Sequence, residues 1–221
     1  MKNRVCAALF SSSLLMCTFS SYAETDFSMK VSGDAWSAKT AYKHDAETIL
    51  NSDRETKFTG SLALEHNIAY VPNFRIRFSP VEMSYIKFNK TDFTFYYDLI
   101  EHDLLHFDAG LTVSQYANGV YSNPVDPTQD FNKVLFSWYA NAAITIPETN
   151  FDVIGEFDFG NSDGDKTADV TAGMRYRFDF EKVDMAIRAG YRVMDYRFGM
   201  FSGPSDMYLT HGAFVGVEAG F

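Results

Sequence analysis

An all-β fold is predicted, a transmembrane antiparallel up-and-down β-barrel of ten strands with eight as the alternative, and three observations predict it. Apolar residues recur at every second position through most of the chain from Phe27 to Phe221. One of the two faces so defined carries no Asp, Glu, Lys or Arg over the roughly 9–11 residues that a tilted strand needs to cross a bilayer. The connections alternate between long and short, which is the asymmetry of a barrel with long extracellular loops and short periplasmic turns. Composition agrees, with 21 Phe and 13 Tyr among 221 residues. No run of about 18 apolar residues follows position 23, so a helical membrane protein is excluded. The net charge of -10 lacks the clustered basic face of a nucleic-acid binder, and nucleic acid is not an expected partner.

The N-terminus reads as a signal peptide. Lys2 and Arg4 form a positive start, Val5 to Phe19 an apolar stretch, and Ser21 and Ala23 the small residues before a cleavage point. The expected division is a cleaved segment 1–23 and a barrel over 24–221. Cleavage removes Cys6 and Cys17 and lowers the net charge to -12. The remaining chain has no thiol, which excludes disulfides, thiolate metal sites and cysteine nucleophiles.

The strands follow in order. Phe27, Met29, Val31 and Ala35 alternate with Ser28, Lys30, Ser32, Asp34 and Trp36; Phe58, Leu62 and Leu64 alternate with Thr59, Ser61 and Glu65. Phe74, Ile76 and Phe78 oppose Arg75 and Arg77, and Phe93 to Leu99 oppose Thr94, Tyr96 and Asp98. Leu105 to Val113 face away from His106, Asp108, Thr112 and Ser114. Phe136 to Ile144 oppose Ser137, Tyr139 and Asn141, and Phe151 to Phe159 oppose Asp152, Glu156 and Asp158. Ala168 to Phe178 oppose Asp169, Arg175 and Arg177; Met185 to Val193 oppose Arg188 and Arg192; Leu209 to Phe221 oppose Glu218. The segment Phe74 to Phe78 is short before Pro80, which keeps the eight-strand alternative open. Closure removes both sheet edges, and in hydrocarbon that is obligatory.

The chain ends Gly212-Ala213-Phe214-Val215-Gly216-Val217-Glu218-Ala219-Gly220-Phe221. This resembles the terminal strand signal, closed here by Phe221, of barrels inserted by the Bam assembly machinery. Leu62-Ala63-Leu64-Glu65-His66, Pro72 to Phe78, Phe95 to Ile100 and Asp108 to Thr112 add to it. Together these segments resemble a family of small gammaproteobacterial outer-membrane barrels, among them barrels of the accessory colonization factor type. The resemblance implies the cell outer membrane of a Gram-negative bacterium, with its lipid and lipopolysaccharide as surroundings, and it brings no catalytic residues.

Possible chemistry is sparse. His102 and His106 fall on one strand face with Asp108, but spacing specifies no third ligand, so a lumenal histidine is expected and no metal. Asn161-Ser162-Asp163-Gly164-Asp165 resembles the opening of a calcium loop without its distal Glu, and a hairpin tip is expected. His44-Asp45 and His211 are the raw material for an enzyme, in no recognisable constellation, and no enzymatic activity or cofactor is expected.

The charged face must then line the bore. A lumen holding Asp34, Glu65, Arg75, Arg77, Asp98, Asp108, Asp169, Arg175, Arg177, Arg188, Arg192 and Glu218 is expected to be closed by a charge network. The acids Asp34, Glu65, Asp98 and Asp108 are expected to meet Arg175, Arg177, Arg188 and Arg192. Function then falls to the extracellular loops, where Tyr116, Tyr121, Phe198, Met200 and Phe201 are candidate binding residues for a host or cell-surface ligand. The expected role is structural or surface-binding, with adhesion or colonization in view. A narrow solute channel is the alternative, and a lipid-active enzyme a third reading.

Overall fold

A computed structural model describes residues 26–45, 47–122, 128–162, 164–178, 180, 183–199 and 206–221. The segment 1–23, expected from the sequence to be a signal peptide, lies outside these residues. Eleven strands form one antiparallel sheet: β1 (Phe27–His44), β2 (Glu47–Asn51), β3 (Glu55–His66), β4 (Asn73–Glu82), β5 (Ile86–His102), β6 (Leu105–Tyr121), β7 (Gln129–Thr145), β8 (Phe151–Ser162), β9 (Asp165–Phe178), β10 (Asp184–Arg197) and β11 (Met207–Gly220). Ten of them make the wall, which closes where β11 pairs with β1 from Lys30↔Gly220 to Lys43↔Met207. The short β2 pairs only with the far end of β1 and belongs to the first long loop. The ten-strand barrel therefore stands and the eight-strand alternative does not.

Pro80 does not end its strand. β4 runs through it to Glu82, with Pro80 opposite Asn89 of β5. On the other side the pairing of β3 with β4 stops at Gly60↔Phe78, so the residue that lacks an N–H stands where no neighbour asks for one.

Register partners traced around the wall lead from Met29 through Leu64, Phe74, Phe95, Leu111, Trp138, Phe159, Ala168, Asp195 and Leu209 back to β1 at Ala41. The path returns twelve residues further along β1 than it began. Ten strands with that stagger, spaced about 4.8 Å and rising about 3.3 Å per residue, tilt by roughly 40° and set a wall radius of about 10 Å. Long side chains from opposite walls meet across such a bore.

The alternation places the apolar set outside. Phe58, Phe136, Trp138, Phe159, Val215, Val217 and Phe221 all project outward from the wall. In water this surface would be a large liability; against lipid it is the surface that holds the barrel in place.

Several strands extend beyond what a bilayer needs. β5, β6 and β7 are 17 residues each, so much of what reads as long loop is hairpin. The segment 79–92 is the tip of the β4–β5 hairpin, and Asn161 to Lys166 is a tight hairpin with Ser162 opposite Asp165. The calcium-loop resemblance is thus a hairpin tip, although Asp163 lies outside the described residues.

Candidate functional site

The middle of the lumen is filled by side chains from five strands. β4 supplies Arg75 and Arg77, β5 Lys90 and Asp92, β8 Glu156 and Asp158, β9 Asp169, and β10 Arg192. Arg75 donates twice to Glu156, at 2.8 and 3.0 Å. Arg77 donates to Glu156 as well, to Asp158 at 3.0 Å, to Asp92 at 3.1 Å and to Asp169 at 3.3 Å. Lys90 bridges Asp92 at 2.9 Å and Asp169 at 3.0 Å. Arg192 grips Asp169 with Nε and Nη2 at 2.9 and 2.7 Å. Thr112 donates to Asp158 and Ser114 to Asp92, each at 2.6 Å.

Cations and anions in this layer match four to four, so burial is compensated by pairing. Removing water from such charges costs several kcal/mol each, and only full pairing offsets it. Crossing this layer would require separating ion pairs in a low-dielectric interior.

On the loop side of this layer lies an aromatic cluster. Trp36, Tyr42, Ile86, Phe88, Tyr116, Tyr121, Phe131, Tyr196, Phe198 and Tyr208 pack together from β1, the β4–β5 hairpin, β6, β7, β10 and β11. Phe88 is central, with ring centroids 4.9 Å from Tyr196, 5.4 Å from Tyr116 and 6.1 Å from Phe131. Arg192 stacks 5.2 Å from the Trp36 ring and joins the two layers. Among the described residues, a layer of ion pairs and a layer of rings thus fill the bore at successive heights.

On the side of the tight turns the lumen stays open as a polar cavity of about 470 Å³. Its ion pairs line the wall: Lys30 with Glu65 at 2.7 Å, Arg188 with Asp34 at 2.6 Å, and Arg175 with Asp152 at 2.9 Å and Glu218 at 3.1 Å. Arg177 reaches Asp152 at 3.3 Å with nearly half its side chain in solvent. His106 Nε2 lies 2.8 Å from Asp108 Oδ1, and Asp98 stands opposite Asp108 on the neighbouring strand.

The expected lumenal charges all face the bore, but most meet partners other than those expected. Asp34 does bind Arg188. Glu65 takes Lys30 instead, Asp98 takes Asn73, Asp108 takes Asn141 and His106, while Arg192 takes Asp169. The reason is the stagger of the wall, which sets heights across the bore that strand order alone does not give. Lys90 and Asp92 were missed because they fall in a segment read as loop. Their signal was present, since both continue the inward parity of Thr94 and Tyr96.

The candidate surface residues need correction. Tyr116, Tyr121 and Phe198 are 1%, 1% and 2% exposed and belong to the aromatic cluster, not to a binding surface. Tyr116 simply extends the inward series Thr112, Ser114, and Phe198 the series Arg192, Met194, Tyr196. Met200 and Phe201 lie outside the described residues.

His44 is held by Asp206 at 2.5 Å with Asp45 3.6 Å from its other nitrogen, and His211 contacts Tyr191 on the outer wall. His102 accepts the Leu104 N–H at 3.3 Å and takes no part with His106.

A closed wall with a charge-free apolar exterior and a salt-bridged interior defines an outer-membrane β-barrel. Among solved structures, the outer membrane protease OmpT of Escherichia coli aligns over 92% of this chain and 98% of its own, at 10% identity and a TM-score of 0.39. Neisserial surface protein A aligns over 86% and 95% at 13% identity and 0.36. Ail, the attachment invasion locus protein of Yersinia pestis, aligns over 88% and 99% at 11% identity and 0.34. No family model matches the chain, and no curated protein does.

Proposed function

We propose that this chain is a closed outer-membrane barrel that serves as a structural or surface-binding element, acting through its extracellular face and not as a pore or an enzyme. The observation that carries this reading is the double filling of the lumen, an ion-paired layer beneath an aromatic one. Either alone would stop solutes of ordinary size.

Among the described residues, charged side chains stand exposed at the loop end. Glu47, Asp53, Glu82 and Lys87 all face solvent there. On this reading, contacts with lipopolysaccharide or with a host or neighbouring cell rest on charge and hydrogen bonding, and any contribution to adhesion or colonization is made through them. Export by a signal peptide cleaved before Glu24 belongs to the same reading.

Purified protein in a planar bilayer tests it. No steady conductance is expected, while stepwise conductance would replace this reading with that of a narrow channel. The same preparation incubated with labelled phospholipid and lipopolysaccharide should release no product; turnover would make the protein a lipid-active enzyme.

A further inference from the structure

We propose that Lys39, Lys43, Arg54, Lys166 and Arg197 form a docking site on the outer wall for the phosphates of a lipopolysaccharide molecule in the outer leaflet. The proposal rests on the reading above, in which the loop end of the barrel faces the cell exterior. Parity puts these cations on the lipid side. Ala38, Thr40 and Tyr42 are buried in the bore, so their neighbours Lys39 and Lys43 point outward. Arg197 lies between the buried Tyr196 and Phe198, and Lys166 follows the buried Asp165; both cations are exposed.

Register then gathers them. Lys43 is the partner of Met207 on β11, one ladder step beyond Tyr196↔Tyr208, and Arg197 is the partner of Lys166 on β9. Lys43, Arg197 and Lys166 therefore lie in one row across β1, β11, β10 and β9, with neighbouring strands about 4.8 Å apart. Lys39 stands roughly 13 Å back along β1, opposite His211. Arg54 joins it there, its Nη1 donating to Ser37 O at 2.7 Å. Among the described residues, Lys39, Lys43, Arg54 and Lys166 form no ion pair, and Asp45, Glu47 and Asp53 of the first loop pair with none of them. Arg197 alone has an acid, Asp195 at 3.2 Å. Like charges directly opposite each other, as Arg197 and Lys166 are, repel, and an anion between them relieves it.

Height identifies the occupant. The outward side chains of β1 are uncharged from Phe27 to Ser37, and those of β10 from Met185 to Val193, about the 9–11 residues that cross the hydrocarbon. Charge follows at once, at the level of the lipid headgroups on the loop side. At the tight-turn end the same sector carries Phe27, Phe178, Met185 and Phe221, with no outward cation among the described residues. On the opposite wall the outward charges of the loop end are mixed, with Lys87 3.9 Å from Glu82. The basic sector thus suits an anionic amphiphile whose chains lie on the apolar wall and whose phosphates stand just above it. Lipopolysaccharide offers both, and its two anchor phosphates match two rows of cations; arginine and lysine bind phosphate by charge-assisted hydrogen bonds.

Native mass spectrometry of detergent-refolded protein with diphosphoryl lipid A, in the presence of a chelator, tests this. One lipid A should stay bound per barrel, and dephosphorylated lipid A, phosphatidylglycerol or inorganic phosphate at the same concentration should not displace it. Displacement by any of the three overturns the proposal and is read on the wild type alone, so it needs no variant to fold. A triple variant, Lys39→Gln with Lys43→Gln and Arg197→Gln, should weaken uptake at least about tenfold, whereas Lys87→Gln on the opposite wall should leave it unchanged. Unchanged uptake by the triple variant, or an equal loss in Lys87→Gln, also overturns the proposal. Conductance in a planar bilayer, which tests the closed barrel, does not depend on these outcomes, so either reading can fail without the other.

Discussion

Arg77 on β4 reaches across the bore to Asp158 on β8, with Nη2 3.0 Å from Oδ2. The two strands are separated by three others around the wall, so the pair acts as a strut between opposite sides of the barrel. Arg77 also touches Glu156, Asp92 and Asp169, which makes it the cation on which the central layer depends.

Arg77→Met should therefore be among the most damaging lumenal substitutions. It leaves four carboxylates facing three cations in a buried layer, and breaking a buried pair in this way costs about 3–5 kcal/mol. Arg177→Met is the contrast, because that guanidinium sits at the solvated mouth with 46% of its side chain exposed. Its loss should cost under about 1 kcal/mol. Urea unfolding followed by tryptophan fluorescence reads both; equal midpoints in the two variants would count against a packed central network.

How much of this was legible in the sequence follows from which relations are local. Outward and inward sets depend only on parity within a strand, so Phe58, Trp138 and Val217 against Arg75, Asp108 and Arg188 could be sorted residue by residue. Partners across the lumen depend on how far the wall is staggered, a property of the closed sheet that no single segment contains. That is why Arg188 with Asp34 came out as expected while Arg192 went to Asp169. Strand ends were the other loss. Charged and small residues beyond the bilayer, as at Lys87 to Lys90, no longer carry the apolar outward stripe that marks a strand. Tyr121 adds a third cause: the irregularity between Tyr116 and Gly119, where Asn118 has a φ of 53°, changes the parity so that both tyrosines turn inward.

A pH dependence is expected at the outer rim. The hydrogen bond that His44 Nδ1–H donates to the Asp206 carboxylate holds the pKa of His44 above its ordinary value of 6.5, against a smaller opposing effect of desolvation and with further help from the charge of Asp45. A histidine raised on folding contributes stability that is complete below 6.5 and is lost as pH rises through the folded value. The contact between β1 and the segment before β11 should accordingly loosen between mildly acidic and alkaline pH. Ring-proton titration of His44 by nuclear magnetic resonance checks the direction. Asp206→Asn should return the midpoint towards 6.5, and an unchanged midpoint would remove the hydrogen bond as its cause.

The aromatic layer makes a separate prediction because it is not the lower of the two seals. Phe88 contacts three rings, Tyr116, Phe131 and Tyr196, which are tied into the ends of β6, β7 and β10. Phe88→Ala should leave a cavity that those strand ends cannot collapse around, at a cost of about 3–5 kcal/mol. Phe88→Leu retains most of the volume and should cost under about 1.5 kcal/mol. Neither should conduct in a planar bilayer, since the Arg77, Lys90 and Arg192 layer beneath remains paired with its acids. Were Phe88→Ala to open a steady conductance while keeping its folded mobility on a gel, the ionic layer would be a hydrated conduit and the rings would be the only gate.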